Sequence, residues 1–286
     1  HNLNKSERSK IRKEVFSYSW PIIFIGIFGG LFYSIDSFIL GYYKSVTEVG
    51  FYHAAVTIAT LLTITPLLFL KLFFSLIMKA YSKKDKSLIK DLSKQVSKWI
   101  FIINLPAFIL MFLFPGAIIN LLFGKEYLVA ETSLRFLLMG NLSISFYMVS
   151  LNLISMAGKS KVILKNIIFA GTLNLILDLV LIPMPKILWL DNSNGVTGSS
   201  IASFIYMLFL GYLFITQARK YTSITPFKKK MIRVIFVTFI PLIILILLKS
   251  QFEINLFTMI TLVFYFLLIY FLTILLTGCL DKNDLM

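Results

Sequence analysis

Eight long apolar stretches, separated by short polar connections, decide what this chain can become. They run roughly over residues 16–43, 51–78, 99–114, 134–156, 162–182, 196–216, 234–248 and 256–277. Most approach or exceed the ~20 residues that cross about 30 Å of hydrocarbon at 1.5 Å per residue. The third and seventh are short and are expected to run on into flanking residues. A backbone in lipid has no water to bond, so each stretch is expected to be helical. Of the 286 residues, 58% are apolar and only 14% charged, and the mean hydropathy is +0.86. That is more apolar surface than a soluble core of this size uses. The expected fold is all-α, a polytopic transmembrane bundle of about eight helices.

The charges give the bundle a direction. The net charge of +15 resembles a nucleic-acid footprint, but the cations cluster between apolar stretches and no basic stripe lies on a soluble fold, which argues against a nucleic-acid partner. The segments before the first stretch and after the second, fourth, sixth and eighth carry 22 Lys and Arg residues. The alternate connections carry five: Lys44, Lys125, Arg135, Lys186 and Lys249. The positive-inside rule then expects both termini in the cytoplasm of a multi-pass plasma-membrane protein. Trp20 and Trp99 fall at expected inner boundaries, and Tyr42, Tyr43, Tyr52 and Trp189 at outer ones, as interfacial anchors do. Membrane lipids are the first partners expected, and the basic connections suit anionic headgroups as well as topology.

Little covalent chemistry is available. Cys279 is alone, and His1 and His53 are the only histidines, so disulfide, thiolate-metal and histidine acid–base sites are not expected. No Ser/His/Asp set or phosphate-cradling glycine loop occurs, and the acids of the outer connections are scattered. Neither catalytic residues, nor a metal site, nor a cofactor is expected. The first apolar stretch is too long for a signal-peptide core. The chain begins with His1 rather than Met and is expected to be a piece of a longer protein. Its organisation reads as a basic tail (1–15), a six-helix unit (16–216), a basic loop (217–233), an additional helix pair (234–277) and a tail (278–286).

Asp36, Lys71 and Asp178 are the ionisable residues well inside apolar stretches. A charge at membrane depth is costly unless it meets a partner or a water-filled cavity, so each is a candidate functional group. Asp36 stands some seven residues from the outer end of its helix, about 10 Å, and Asp178 stands closer to its own. Either a headgroup-level position or a cavity suits them. Lys71 lies about two turns from the inner end of the second span; it either snorkels inward or presents its ammonium to a cavity. Arg135 reads as an interfacial anchor or a substrate contact. Asn104, with Asn141, Asn152, Asn166 and Asn174, suits interhelical hydrogen bonding, or else contact with substrate. Gly26 with Gly30, and Gly195 with Ser199 and Ser203, are spaced for close helix approach, and Pro66, Pro106 and Pro241 are placed to bend helices.

Four passages carry a resemblance. They are residues 33–41 with 48–55, 119–127, 157–161, and 174–183 followed by 195–202. In order and spacing these resemble the C-terminal part of polysaccharide flippases of the Wzx type, within the multidrug/oligosaccharidyl-lipid/polysaccharide exporter superfamily. The resemblance implies helices seven to fourteen of a two-lobe transporter: a C-terminal lobe plus an extra helix pair, with the N-terminal lobe missing. It implies alternating-access movement of a polyprenyl-diphosphate oligosaccharide from inner to outer leaflet for surface-glycan biosynthesis. Glycan polymerases or glycosyltransferases would be further partners. Substrate contact would fall to Lys71, whose helix is the right one for engaging the diphosphate, with Asn104 and Arg135. Ion coupling would fall to Asp36 and Asp178. The alternatives are a cation-coupled exporter of drugs or small molecules from the same superfamily, a membrane-integral glycosyltransferase or polymerase, and a non-transporting scaffold.

Overall fold

The computed structural model describes residues 5–83, 85–227, 229–251 and 256–279. Among them lie ten α-helices: α1 (Lys5–Tyr43), α2 (Val46–Thr60), α3 (Ile64–Ser82), α4 (Lys86–Leu113), α5 (Pro115–Leu122), α6 (Glu131–Met156), α7 (Ser160–Leu181), α8 (Val196–Thr222), α9 (Lys229–Gln251) and α10 (Leu256–Leu276). Eight spans are long and apolar enough to cross a membrane. One consists of α2 and α3 joined by the 3-10 turn Leu61–Thr63. Between α7 and α8 a small antiparallel hairpin pairs β1 (Lys186–Ile187) with β2 (Leu190–Asp191).

The helices run further into the basic connections than hydropathy alone marks. α4 starts at Lys86 because Ile89, Ser93, Ser97 and Ile100 bury one face ahead of the apolar stretch, at the spacing of an amphipathic helix. Asp85 caps it, its side chain accepting from the Leu88 amide at 3.0 Å. Lys98, counted with the inner cations, is buried in this helix. Helices α8 and α9 likewise take up part of the segment read as the basic loop 217–233.

Two prolines are answered by side chains from other helices. A proline has no N–H, so the carbonyl four residues before it loses its helical partner. Pro66 frees the Leu62 carbonyl, which accepts from Asn104 Nδ2 at 2.7 Å. Pro106 frees the Ile102 carbonyl, which accepts from the Tyr270 hydroxyl at 2.8 Å. In lipid such a carbonyl must find a partner within the protein. Pro66 therefore breaks its span at the α2–α3 junction, whereas Pro106 stays within a continuous α4.

Helix α6 packs most extensively against α8 and also meets α2, α3, α4 and α7, while α1 lies on α7. One core, at the end of the bundle where α1 turns into α2, gathers Leu40, Ile58, Leu134, Leu138, Ile182 and Val196. The pair α9–α10 builds its own core on α4, with Phe101, Leu105, Val234, Phe266 and Tyr270. The small-residue stripe of α8 is buried as expected. A Cβ on Gly198 would stand 2.6 Å from the Leu181 carbonyl oxygen, so this helix start requires glycine. Gly26 and Gly30 differ from expectation: nothing lies within 4 Å of a Cβ built on either, so they mediate no close helix contact among the described residues.

Candidate functional site

Asp36 and Asp178 come from helices far apart in sequence and meet at one buried site. Asp36 reaches it from α1, and Asp178 from α7, one helical turn beyond Asn174. The spacing of four residues puts Asn174 and Asp178 on the same face of α7. The Asn174 amide nitrogen bridges the acids, donating to Asp36 Oδ1 at 2.5 Å and to Asp178 Oδ2 at 2.9 Å. On the other side of Asp36, Oδ2 accepts from the Tyr52 hydroxyl of α2 and from Ser203 Oγ of α8, each at 2.5 Å. Tyr52 OH and Ser203 Oγ are themselves 3.0 Å apart. Four helices thus converge on one carboxylate, and Asp36, Tyr52, Asn174, Asp178 and Ser203 are all buried.

Two oxygens in this cluster are left over. Asn174 Oδ1 and Asp178 Oδ1 are buried and have no hydrogen-bond donor. Buried acceptors without donors are costly, and two carboxylates facing one amide at low dielectric repel each other unless a proton or a cation lies between them. The donor set is all oxygen: carboxylate, amide, phenol and hydroxyl. Such a set suits a proton or a hard cation rather than a soft transition metal. Among the described residues no group of three or more His, Cys, Asp or Glu is arranged to hold a metal ion.

The cluster opens on a cleft of about 460 Å³ between α1, α2, α6, α7 and α8. Asp36, Tyr52, Asn174 and Ser203 form its polar wall, and Phe32, Tyr33, Tyr147, Tyr206 and Met207 much of its apolar one. Asn141 and His53 also line it. His53, beside Tyr52, shares a hydrogen bond of 2.9 Å with Ser37 Oγ. A mostly apolar cleft with a few convergent polar groups is the usual form of a small-ligand site.

The other candidates lie elsewhere. Lys71 is exposed on α3 and does not line the cleft. Asn104 is buried and engaged, holding the Leu62 carbonyl and Ser145 Oγ, the latter at 2.6 Å. This is the interhelical role, with no face toward the cleft. Arg135 stands at the start of α6, 3.8 Å from Glu131, beside a separate crevice. Tyr52 is a correction: its position near a helix start suggests an interfacial anchor, yet it is 3% exposed and bonded to Asp36. Its signal in the sequence was faint, since burial of a tyrosine depends on which helix faces it. Ser203 read only as a packing residue; its hydroxyl adds a bond that spacing alone does not reveal.

Comparison with known proteins agrees with this architecture. Residues 4–132 match the family described as polysaccharide biosynthesis protein. That region holds Asp36 and Tyr52, while Asn174, Asp178 and Ser203 lie beyond it. An uncharacterized membrane protein of Methanocaldococcus jannaschii is 26% identical over 244 residues, which cover 84% of this chain and 46% of that protein. The chain therefore spans about half the length of the curated relative it matches. No solved structure matches the chain. With eight apolar spans among the described residues and a membrane-protein relative, the chain is a multi-pass membrane protein, and its residues 4–132 are similar to the polysaccharide biosynthesis protein family.

Proposed function

We propose that the chain is part of a transporter that moves a lipid-linked oligosaccharide from the inner to the outer leaflet by alternating access, driven by a proton or cation taken up at the Asp36–Asp178 pair. The observation that carries this reading is the four-helix convergence on Asp36, with two buried acceptor oxygens left without donors. A group that binds and releases charge there changes how strongly α1, α2, α7 and α8 are held together. With the ion bound, repulsion between the acids is relieved; without it, the helices gain reason to part. That is a two-state element of the kind alternating access needs. The similarity of residues 4–132 to a polysaccharide biosynthesis family supports this substrate class, since glycan biosynthesis at a membrane requires that carrier-linked sugars cross it.

Lys71, exposed on α3, is assigned to the face that meets the rest of the transporter, where its ammonium would attract the lipid diphosphate. Lys71→Ala in the intact protein is then expected to slow transport several-fold at unchanged abundance. Unchanged transport would assign Lys71 to snorkelling instead.

The substrate class is tested with the intact natural protein in vesicles. Fluorescent polyprenyl-diphosphate oligosaccharide is loaded in one leaflet, and its appearance in the other is followed by quenching. Faster exchange than in protein-free vesicles is the expected result. Export of cationic dyes without lipid exchange would favour a small-molecule exporter. Extension of the glycan when a sugar donor is supplied would favour a glycosyltransferase or polymerase.

A further inference from the structure

Three of the five cations at the sparsely charged end of the bundle meet in one place. Lys125, Arg135 and Lys249 line a crevice of about 360 Å³, together with the first turn of α5, Asn120 and Glu131. Membrane topology gives no reason for this, since the positive-inside rule thins basic residues at this end. The three come from separate parts of the chain: the turn after Gly124, the first turns of α6, and the last turn of α9.

Their surroundings fix one and leave two available. Lys249 Nζ donates to the Leu113 carbonyl at 2.6 Å and lies 4.9 Å from the centroid of the Phe114 ring. It thereby clamps α9 to the end of α4, satisfying a carbonyl that the helix end leaves open. Arg135 Nη2 is 3.8 Å from Glu131 Oε2, beyond hydrogen-bond reach, and both side chains are partly exposed. Such a pair is held weakly. Glu131 offsets one of three positive charges, so the crevice keeps a formal excess of two. A planar guanidinium and two ammonium groups are the donors that phosphate oxygens take. The Glu131 carboxylate packs against Gly116 in the first turn of α5, so the donors left for a phosphate are the cationic side chains. All of these groups sit at or near helix ends, and none of them lines the Asp36 cleft.

We infer that this crevice binds the phosphate of an anionic phospholipid headgroup, in the leaflet that the basic connections predict to be the outer one. The lipid seats where the additional pair α9–α10 meets α4, α5 and α6. The inference does not rest on what the Asp36 cleft transports.

The test uses the full chain in neutral detergent, with lipid adducts counted by native mass spectrometry and thermal unfolding as a second reading. Phosphatidylglycerol is expected to bind and raise the unfolding temperature, whereas phosphatidylcholine is not. Lys125→Gln with Arg135→Gln should weaken phosphatidylglycerol binding about tenfold or more, the effect of losing one charge-assisted hydrogen bond. Lys186→Gln, at the same end but outside the crevice, should leave it unchanged. Arg135→Lys alone keeps the charge and should keep most of the binding, which guards against a misfolded double variant. Equal binding by the double variant and Lys186→Gln would overturn the site. Displacement of the lipid by millimolar inorganic phosphate, with the same stabilisation, would overturn the lipid as ligand and leave a free-phosphate site.

Discussion

Asp36 accepts three hydrogen bonds, from Tyr52, Ser203 and Asn174, so each partner can be removed while the carboxylate stays. Tyr52→Phe deletes one donor and adds no bulk. It is expected to lower the stability of the folded chain by about 1–2 kcal/mol, in the range for a buried hydrogen bond to a carboxyl group. Thermal or denaturant unfolding in detergent would measure it, and an unchanged midpoint would contradict the assigned bond. Asp36 and Asp178 were legible in the sequence because a carboxylate inside an apolar stretch is rarely accidental. Asn174 was legible only as one of several asparagines suited to interhelical hydrogen bonding. That Asp36 would meet Asn174 and Asp178 was not legible, since the contact with Asn174 joins residues 138 apart in the chain. It depends on α1 lying against α7, and hydropathy does not encode which helices are neighbours.

Among the elements, the clearest lesson concerns prolines. Pro66 and Pro106 each raise a question in the sequence, namely where the freed carbonyl goes. The answers, Asn104 and Tyr270, are visible only once the helices are packed. Asn104→Leu is expected to destabilise the chain by about 1–3 kcal/mol, because it leaves the Leu62 carbonyl buried and unpaired. Adding Pro66→Ala restores an amide four residues on and should recover part of that loss. Strictly additive effects in the double-mutant cycle would contradict the pairing. Gly198→Ala tests a second contact: its new Cβ would press on the Leu181 backbone, with an expected loss of about 1–3 kcal/mol.

The start of α4 carries a pH dependence of its own. The Leu88 amide, and then the Ser87 hydroxyl, hold the Asp85 carboxyl below the usual carboxylate range. A group whose pKa is lowered on folding stabilises the fold fully above its unfolded value, roughly pH 4, and loses that contribution as pH falls through the lower folded one. Amide exchange at the first turn of α4 is therefore expected to quicken, relative to the rest of the helix, on acidification through that window. Asp85→Ala should exchange faster already at neutral pH and show no such step. A wild-type first turn insensitive to this window would contradict the cap.

At the scale of the molecule, the number and order of spans were legible because lipid leaves a hydrophobic backbone only one solution. Helix edges were less so: amphipathic turns such as the start of α4 carry lysines on one side while burying the other, and a hydropathy window averages the two. The close-packed glycines divided for a related reason. Gly198 meets the neighbouring backbone, whereas a Cβ on Gly26 or Gly30 would meet nothing within 4 Å among the described residues. The resulting bundle places one ion-suited cluster where four helices converge and a cleft opens beside it.

The most direct measurement of that cluster's role is leaflet exchange of polyprenyl-diphosphate oligosaccharide by the intact protein in vesicles, with and without an imposed proton or sodium gradient. Wild type is compared with Asp36→Asn, Asp178→Asn and the pair together. The expected result is gradient-accelerated exchange in wild type, reduced at least about tenfold in either single variant, with the double variant little worse than the singles because the acids act as one unit. Gradient-driven exchange that survives loss of both carboxylates would contradict the assignment of the driving ion to Asp36 and Asp178.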